Sequence, residues 1–293
     1  TNSLDTLDYA LVRIRTDEGI TGYGECPAYW DPSGETQAGT IGAVEMARPL
    51  LTGQDPFDLE MIMRSLDTHL YGAHAAKCGI DMALYDIQGQ ALGVPVHKLL
   101  GAGSYEVNVN AVLGMGDDVE GKARRLASEG YECVKLKVGK DLDAEEETIR
   151  RVQEIMPAAT TYFVDANQAW GTSKEAHRAI KRLEGYGLSW IEQPTKSTDL
   201  EGLKDLTRRS DTPIMADESL YTYQDAFALA QGDYVDMFNI KLAKSGGMHN
   251  AKKIAAIGQA ANKQMMRVFE KGDAEVKATL EDGVYRLTIP FNK

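Results

Sequence analysis

The sequence predicts an α/β protein in which a barrel of parallel strands and helices is joined to a smaller α+β domain. From Val107 onward, short apolar strands alternate with amphipathic helical segments, a pattern typical of parallel strands with helical crossovers. Polar residues gather at the carboxyl ends of successive strands, and no strand precedes a glycine-rich dinucleotide motif, so a barrel is favoured over an open sheet. Before Val107 the pattern differs, with a period-two hairpin followed by helices.

The α+β domain is predicted to span residues 1–105 and to cap the barrel. Residues 8–25 alternate apolar and polar side chains on either side of a TDEG turn, which predicts a half-buried hairpin. Apolar spacings of three and four residues then predict three helices, at 38–52, 56–71 and 75–92.

The barrel domain is predicted to span residues 106–266, and a second hairpin within 267–293 is expected to pack on the first domain. Its strands are predicted at 107–113, 133–138, 161–165, 189–192, 213–217 and 235–242, with a weaker one near 264–266. Its helices are predicted at 118–129, 143–155, 173–185, 199–209, 222–231 and 247–262. The second hairpin turns at Glu281, Asp282 and Gly283.

Composition and charge exclude several classes of protein. A net charge of −12 without a basic cluster argues against nucleic-acid binding. No apolar run reaches the roughly 18 residues that a membrane span requires, and no signal-peptide pattern is found, so we expect a cytoplasmic protein without a membrane partner.

Lys135 and Lys137, in the apolar segment CVKLKVG, form an unusual pair. Residues two apart on a strand point to the same face, so both ammonium groups would project together from a segment otherwise built for burial. Burial of a lysine without a partner is costly and lowers its pKa. The pair therefore predicts a site that uses amines.

A functional polar residue recurs once per strand and helix, at the carboxyl end of each strand. These residues are Lys137, Asp165, Glu192, Asp217 and Lys241. In barrels of this kind the carboxyl ends of different strands meet at one mouth. Three carboxylates are thus expected to meet between two lysines.

Asp165, Glu192 and Asp217 are the predicted metal ligands. Three acidic groups without a cation would repel one another. An all-oxygen ligand set with positions left for water and substrate favours Mg²⁺, and Mn²⁺ could replace it. The alternative is that each acid caps the helix that follows its strand.

Five segments, KLKVGK, DANQAW, IEQP, ADES and NIKLAKSGG, resemble the enolase superfamily, specifically the muconate lactonizing branch of the mandelate racemase/muconate lactonizing enzyme family. The resemblance implies a modified TIM barrel of the (β/α)7β type with an α+β cap. It also implies that Asp165, Glu192 and Asp217 bind Mg²⁺ and that the substrate carboxylate coordinates the same ion. Lys137 and Lys241 would then flank the substrate's α-carbon as acid and base. Because the family has a further N-terminal strand and further barrel units, we expect the printed sequence to lack segments before the first hairpin and between Gln264 and Gly272.

The chemistry implied is abstraction of a proton α to a carboxylate, through an enediolate that electrostatic stabilisation must support. Lys137 and Lys241 are predicted to exchange the proton, and Lys135 to tune its neighbour electrostatically. The alternative for Lys135 is a structural ion pair.

Other site residues are expected from their neighbours. Asn167 and Gln193 would orient the metal ligands or bond to loop backbone. Glu218 would pair with Lys241 or begin a loop. The loop CPAYWDPSGET corresponds to the family's mobile cap segment, so Tyr29, Trp30 and Asp31 would contact substrate or act as packing anchors.

The sequence therefore predicts a Mg²⁺-dependent isomerase, either a two-lysine racemase or epimerase or a cycloisomerase. An o-succinylbenzoate synthase-like or other dehydratase, a Schiff-base lysine aldolase and a non-catalytic binding protein remain as alternatives. A small-molecule carboxylate is the expected substrate, and the resemblance implies a homo-oligomer.

Overall fold

The computed structural model of the chain describes residues 8–29, 33–103, 106–114, 116, 118–261, 277–281 and 284–288, the last two ranges by their backbone alone. These residues divide into two compact units. The first contains the described residues up to 103, Tyr221–Gln224 and those from Ile240 onward. The second contains the described residues from Glu106 to Leu220 and Asp225–Asn239. The domain boundaries and the packing of the second hairpin stay predictions.

The first unit begins with the predicted hairpin. Strands β1 (Ala10–Arg15) and β2 (Thr21–Cys26) pair antiparallel, with Ala10 opposite Cys26 and Arg15 opposite Thr21. Its helices are α1 (Gln37–Leu51), α2 (Leu59–His69), α3 (His74–Leu92), α4 (Val96–Leu99), α10 (Leu242–Ser245) and α11 (Met248–Ala261). Strands β9 (Lys277–Glu281) and β10 (Val284–Thr288) form the second hairpin. Both predicted hairpins are confirmed.

Helix α3 packs against the hairpin with very close backbone contact. A Cβ atom built on Gly24 would lie 1.8 Å from the carbonyl oxygen of Gly79, and one on Gly22 would lie 2.1 Å from that of Ala83. No side chain fits in this space, so the two glycines of the GYGEC strand allow the helix to approach the sheet directly. Leu66, Ile80 and other apolar residues of α2 and α3 complete this core.

Replacement of Gly24 by alanine is therefore expected to destabilise the first unit by about 1–3 kcal/mol, because the new methyl group forces the strand and helix apart. Gly42 is the matched control. It lies within α1 and a Cβ built on it meets no atom within 4 Å, so its replacement by alanine is expected to be neutral or to stabilise by up to about 1 kcal/mol. Urea unfolding followed by circular dichroism measures both variants. Equal effects would contradict the proposed contact.

The second unit is built on a parallel sheet with strand order β3-β4-β5-β6-β7-β8. The strands are β3 (Ala111–Leu113), β4 (Cys133–Lys137), β5 (Thr161–Asp165), β6 (Ile191–Glu192), β7 (Ile214–Ala216) and β8 (Met237–Phe238). The helices are α5 (Val119–Ser128), α6 (Leu142–Ile155), α7 (Ser173–Leu183), α8 (Leu200–Arg209) and, from Asp225 onward, α9 (Tyr223–Gln231). The predicted alternation of parallel strands and helices is confirmed.

The two faces of strand β4 differ in chemistry. Val134 and Leu136 are fully buried in the apolar core that also contains Ile149, Ile180 and other helix residues. Lys135 and Lys137 alternate with them and therefore lie on the opposite face. The prediction that the two lysines share one face of the strand is confirmed.

Helix starts in this unit follow their sequence signals. Thr172 and Glu175 form a capping box at the start of α7, and the Asp199 side chain accepts a hydrogen bond from Gly202 N at the start of α8. None of the helices within the described ranges is long and apolar enough to cross a lipid bilayer.

Strand β8 is shorter than the predicted 235–242. Ser245 donates to the carbonyl of Lys241, and Gly247 donates to that of Leu242, so the chain turns into α10 directly after Lys241. Lys241 keeps an extended backbone, with φ −117° and ψ 126°, but lies outside the strand. The weak strand predicted near 264–266, and the interval from Gln264 to Gly272 in which missing segments were expected, fall outside the described residues.

Candidate active site

The strand register brings the polar residues of β4, β5 and β6 together. Lys137 is opposite Asp165, and Asp165 is opposite Glu192. Lys135 is opposite Phe163, two residues before the pair formed by Lys137 and Asp165. Asp217 follows directly after β7.

Asp165, Glu192 and Asp217 form a buried acidic cluster. Each offers a carboxylate oxygen, and these oxygens all lie within 4.8 Å of one another. The three residues are 0%, 1% and 1% exposed. Buried carboxylates this close are stable only with cations between them. An all-oxygen donor set of this kind fits a hard divalent metal ion.

Lys135 supplies one positive charge to this cluster. Its Nζ lies 2.7 Å from Asp165 Oδ2 and 2.7 Å from Glu192 Oε1. Burial alone would lower the pKa of Lys135, but the hydrogen bonds and charges of the two carboxylates outweigh burial and raise it. The two carboxylates thus favour the cationic form of Lys135, whereas a buried lysine without a partner would tend to lose its proton.

The Lys135 ammonium lies above the Phe163 ring, 5.8 Å from its centroid. Phe163 stacks on Trp190, with centroids 4.3 Å apart. The Lys135 ammonium therefore has an aromatic ring beside it as well as two carboxylates.

The pKa values of the two carboxylates paired with Lys135 are shifted in opposite directions. Burial raises the pKa of Asp165, but its bonds to Lys135 and Lys137 outweigh burial and bring the pKa below its usual value. Burial and the charge of Asp165 raise the pKa of Glu192. Asp165 contacts both lysines, whereas Glu192 contacts Lys135, so Asp165 has more positive charge beside it than Glu192 does.

Lys137 lies at the solvent side of the cluster, with its side chain 36% exposed. Its Nζ donates to Asp165 Oδ2 at 2.7 Å and to Asn167 Oδ1. Asn167, at φ +41°, also donates from its backbone N to Asp165 Oδ1 at 2.9 Å. Its Nδ2 donates to Glu218 Oε1 at 3.0 Å. Asn167 therefore links the lysine, a predicted metal ligand and Glu218.

Glu218 is a buried carboxylate whose pKa is raised by burial. One oxygen accepts the bond from Asn167, and the other has no hydrogen-bond partner within the described part of the chain. Glu218 lies in the loop after β7 and contacts Asn167, and its pairing with Lys241 stays a prediction.

Gln193 organises the turn that carries Asp217. It is fully buried, and its Oε1 accepts bonds from Asp217 N at 2.9 Å and Ser219 N at 3.1 Å. Its Nε2 donates to Thr195 O and Ser219 Oγ. Every polar position of the amide is used within the protein, so Gln193 acts on loop backbone.

Replacement of Gln193 by alanine is expected to weaken divalent metal binding by about 10-fold, because the turn behind Asp217 loses its support. Isothermal titration calorimetry with MgCl₂ measures this change. Thr222→Ala, a small polar change in the first unit, is the control. An unchanged affinity in Gln193→Ala would show that the turn holds Asp217 without the amide.

Asn239 is a site residue that sequence reasoning missed. Its Nδ2 donates to Glu192 Oε1 at 2.8 Å, and its backbone N pairs with Ala216 O at 2.8 Å. The signal was its place in the NIK motif immediately after β8. Asn239 was missed because only charged residues were considered at the end of this strand.

The remaining predicted residues lie in the first unit. Lys241 is exposed and precedes α10. Tyr29 is half-buried, and its carbonyl accepts a hydrogen bond from Ser33 Oγ. Trp30 and Asp31 fall outside the described residues. The roles of these residues stay predictions.

Comparison with known proteins identifies the family. Residues 1–101 match the mandelate racemase/muconate lactonizing enzyme N-terminal domain, and residues 118–281 match the enolase C-terminal domain-like family. The chain belongs to the mandelate racemase/muconate lactonizing enzyme family of the enolase superfamily. The predicted resemblance is confirmed, and with it the TIM-barrel fold class with an N-terminal capping domain.

Individual members of this family are similar over most of the chain. A hydrophobic dipeptide epimerase from Enterococcus faecalis is 38% identical over 90% of this chain and 75% of its own length. Muconate cycloisomerase 1-2 from Acinetobacter lwoffii is 36% identical over 86% of this chain and 67% of its own. The E. faecalis dipeptide epimerase solved with Mg and L-Leu-L-Tyr has a TM-score of 0.81 and 39% identity, covering 86% of this chain and 72% of that one. The chain is accordingly an enolase-superfamily isomerase.

Proposed function

We propose that this isomerase epimerises dipeptides at the α-carbon of the residue that carries the free carboxylate, with Mg²⁺ held by Asp165, Glu192 and Asp217. The observation that carries this proposal is the position of Lys137. Its ammonium is hydrogen-bonded to an oxygen of the buried acidic cluster and its side chain is partly open to solvent. A proton-transfer group therefore stands beside a cluster suited to a divalent cation.

A proton α to a carboxylate is scarcely acidic, so its removal requires stabilisation of the dianionic enediolate. The bound metal ion would supply positive charge to the substrate carboxylate. The Lys135 ammonium lies 2.7 Å from both Asp165 and Glu192, and its charge favours the ionised form of each carboxylate. Asn167 fixes the Lys137 ammonium and Asp165 relative to each other, so the proton moves to and from a defined nitrogen.

Epimerisation needs a second acid/base on the opposite face of the α-carbon. Lys241 is assigned this role from its place in the NIKLAKSGG segment, two residues after Asn239, whose amide bonds to Glu192. One lysine would remove the proton and the other would return a proton to the opposite face.

The substrate class is supported by similarity to the E. faecalis enzyme named as a hydrophobic dipeptide epimerase. Cycloisomerisation of a muconate-like diacid is the second candidate, because similarity to a muconate cycloisomerase is nearly as high. Both reactions form an enediolate on a carboxylate substrate.

Solvent exchange in D₂O tests the proposal. The protein with MgCl₂ is incubated with dipeptides such as L-Leu-L-Tyr, with N-acyl amino acids, with proline derivatives and with cis,cis-muconate, and ¹H NMR follows the α-proton. Deuterium entering a dipeptide together with formation of its epimer is the expected result. Lactone formation from muconate alone would favour the second candidate, and no exchange with any carboxylate would indicate a binding protein.

A further inference from the structure

Two buried carboxylates outside the acidic cluster accept hydrogen bonds from the backbone of the segments that follow Lys137 and Lys241. Resting on the proposed function, we propose that Glu145 and Asp81 are positioning residues, each fixing the loop behind one acid/base lysine. Glu145 acts for Lys137 within the second unit. Asp81 acts for Lys241 within the first.

Glu145 reaches back from helix α6 to the loop that follows Lys137. A single oxygen, Oε1, accepts hydrogen bonds from the backbone N of Gly139 at 2.7 Å, Lys140 at 2.7 Å and Asp141 at 3.2 Å. Glu145 is 3% exposed, and its other oxygen is buried without a hydrogen-bond partner among the described residues. Burying a carboxylate is costly, and these three bonds to the loop offset that cost.

Helix capping does not account for Glu145. The Asp141 side chain already caps α6 by accepting bonds from Asp143 N and Ala144 N. The loop that Glu145 holds is packed against the strand bearing Asp165, because Val138 N donates to Asp165 O at 3.0 Å. A Cβ on Gly139 would lie 2.4 Å from Ala169 Cβ. The carboxylate thus fixes the backbone of the residues next to Lys137.

Asp81, on helix α3, holds the turn that follows Lys241 in an equivalent way. It is 0% exposed, and its Oδ2 accepts a bond from Met248 N at 2.6 Å. His249 N lies 3.3 Å from Oδ1. Gly247 has φ +116°, and a Cβ there would lie 2.4 Å from Asp81 Oδ2. Glycine at position 247 therefore allows both the positive φ of the turn and its close approach to this carboxylate.

Hydrogen bonds also link this glycine turn to the backbone of Lys241 and Leu242. Gly247 N donates to Leu242 O at 2.9 Å, and Ser245 donates to Lys241 O through its backbone N at 3.0 Å and its Oγ at 2.8 Å. Asp81 thus holds the residue after Gly247, and the bonds of Gly247 and Ser245 hold the backbone of Leu242 and Lys241. Misplacement of a reacting group by about 1 Å can cost about 100-fold in rate, so such anchors affect proton transfer.

Epimer-resolved exchange tests this inference. Each epimer presents its α-proton to one lysine, so exchange of L-Leu-L-Tyr and L-Leu-D-Tyr in D₂O is measured separately at early times. The variants Lys137→Ala and Lys241→Ala show which epimer each lysine serves. Glu145→Ala should then slow exchange of the Lys137 epimer by about 10-fold or more, and Asp81→Ala that of the Lys241 epimer, with the other epimer little changed. Each variant is the control for the other.

Conservative variants separate positioning from folding. Glu145→Gln keeps one oxygen for the three backbone bonds and should restore balanced exchange, as should Asp81→Asn in part. If an alanine variant does not fold, Glu145→Asp and Ser245→Ala make smaller changes to the same loops and should skew exchange in the same directions. Equal slowing of both epimers, or no skew, overturns the inference while leaving the proposed function intact. If the wild type exchanges a different dipeptide in the substrate screen, the epimers of that dipeptide replace the Leu-Tyr pair, and a wild type that exchanges no dipeptide overturns the proposed function and the inference with it.

Discussion

Replacement of Lys137 by alanine is expected to lower the rate of epimerisation by about 10²- to 10⁴-fold, the usual contribution of a positioned acid/base. The variant lacks the amine that lies 2.7 Å from Asp165 Oδ2 at the solvent side of the acidic cluster. Alanine cannot take or return a proton, and Lys135 cannot replace it because its Nζ is buried and paired with Asp165 and Glu192. Polarimetry with L-Leu-L-Tyr and saturating MgCl₂ measures the loss.

Lys140→Ala is the matched control for this variant. Lys140 is an exposed lysine three residues further along the same segment, and its side chain is not used in the proposed reaction, so activity should be unchanged. Lys241→Ala is expected to lose as much activity as Lys137→Ala. Retention of more than about a tenth of wild-type activity in Lys137→Ala would contradict its role as an acid/base.

Removal of one carboxylate from the acidic cluster is expected to have a comparably large effect. In Asp217→Asn, a neutral amide replaces one of three buried carboxylates, the proposed metal ligands, whose oxygens lie within 4.8 Å of one another. Changes outside the ligand sphere typically cost about 10- to 100-fold in metal affinity, so loss of a charged ligand should cost at least about 100-fold. Calorimetric titration with MgCl₂ measures the affinity. Activity should be lost with EDTA and restored by MgCl₂ in the wild type.

Asp199→Asn is the control for the metal-ligand variant. Asp199 caps helix α8, and asparagine caps helices equally well, so metal affinity should not change. Full activity in EDTA would exclude the metal-dependent reaction. Borohydride trapping of a carbonyl substrate on Lys137 or Lys241 would then support the Schiff-base alternative.

The arrangement of strands and the face shared by Lys135 and Lys137 were predictable because side-chain alternation has a fixed period. The carboxyl ends of β4, β5 and β6 then had to bring Lys137, Asp165 and Glu192 together, since parallel strands in register place their ends at one edge. The acidic cluster follows from the same argument, and the oxygens of its three members lie within 4.8 Å of one another.

The partners of the surrounding amides could not be predicted from spacing. Asn167 and Gln193 have positive φ values of 41° and 37°, which turn their side chains in directions that strand alternation does not describe. Asn167 therefore meets Glu218, and Gln193 meets the backbone beyond Asp217. The charge state of Lys135 also depended on such detail, because a buried lysine with two carboxylates at 2.7 Å behaves oppositely to one without partners.

The ends of short strands also could not be predicted from the sequence pattern. An apolar run predicted a strand to residue 242, but hydrogen bonds from Ser245 and Gly247 turn the chain after Lys241. Periodicity detects the apolar run, whereas the turn depends on glycine conformation and on Asp81, which lies far away in sequence.

The central claim is that two lysines transfer protons on opposite faces of one α-carbon. The most direct measurement is α-proton exchange of L-Leu-L-Tyr and L-Leu-D-Tyr in D₂O by the wild type, Lys137→Ala and Lys241→Ala. The wild type should exchange both epimers, and each variant should still exchange one epimer while failing to interconvert them. The epimer retained by Lys137→Ala should be the one lost by Lys241→Ala. Retention of the same epimer by both variants, or equal loss of both epimers in each, would contradict the two-lysine account.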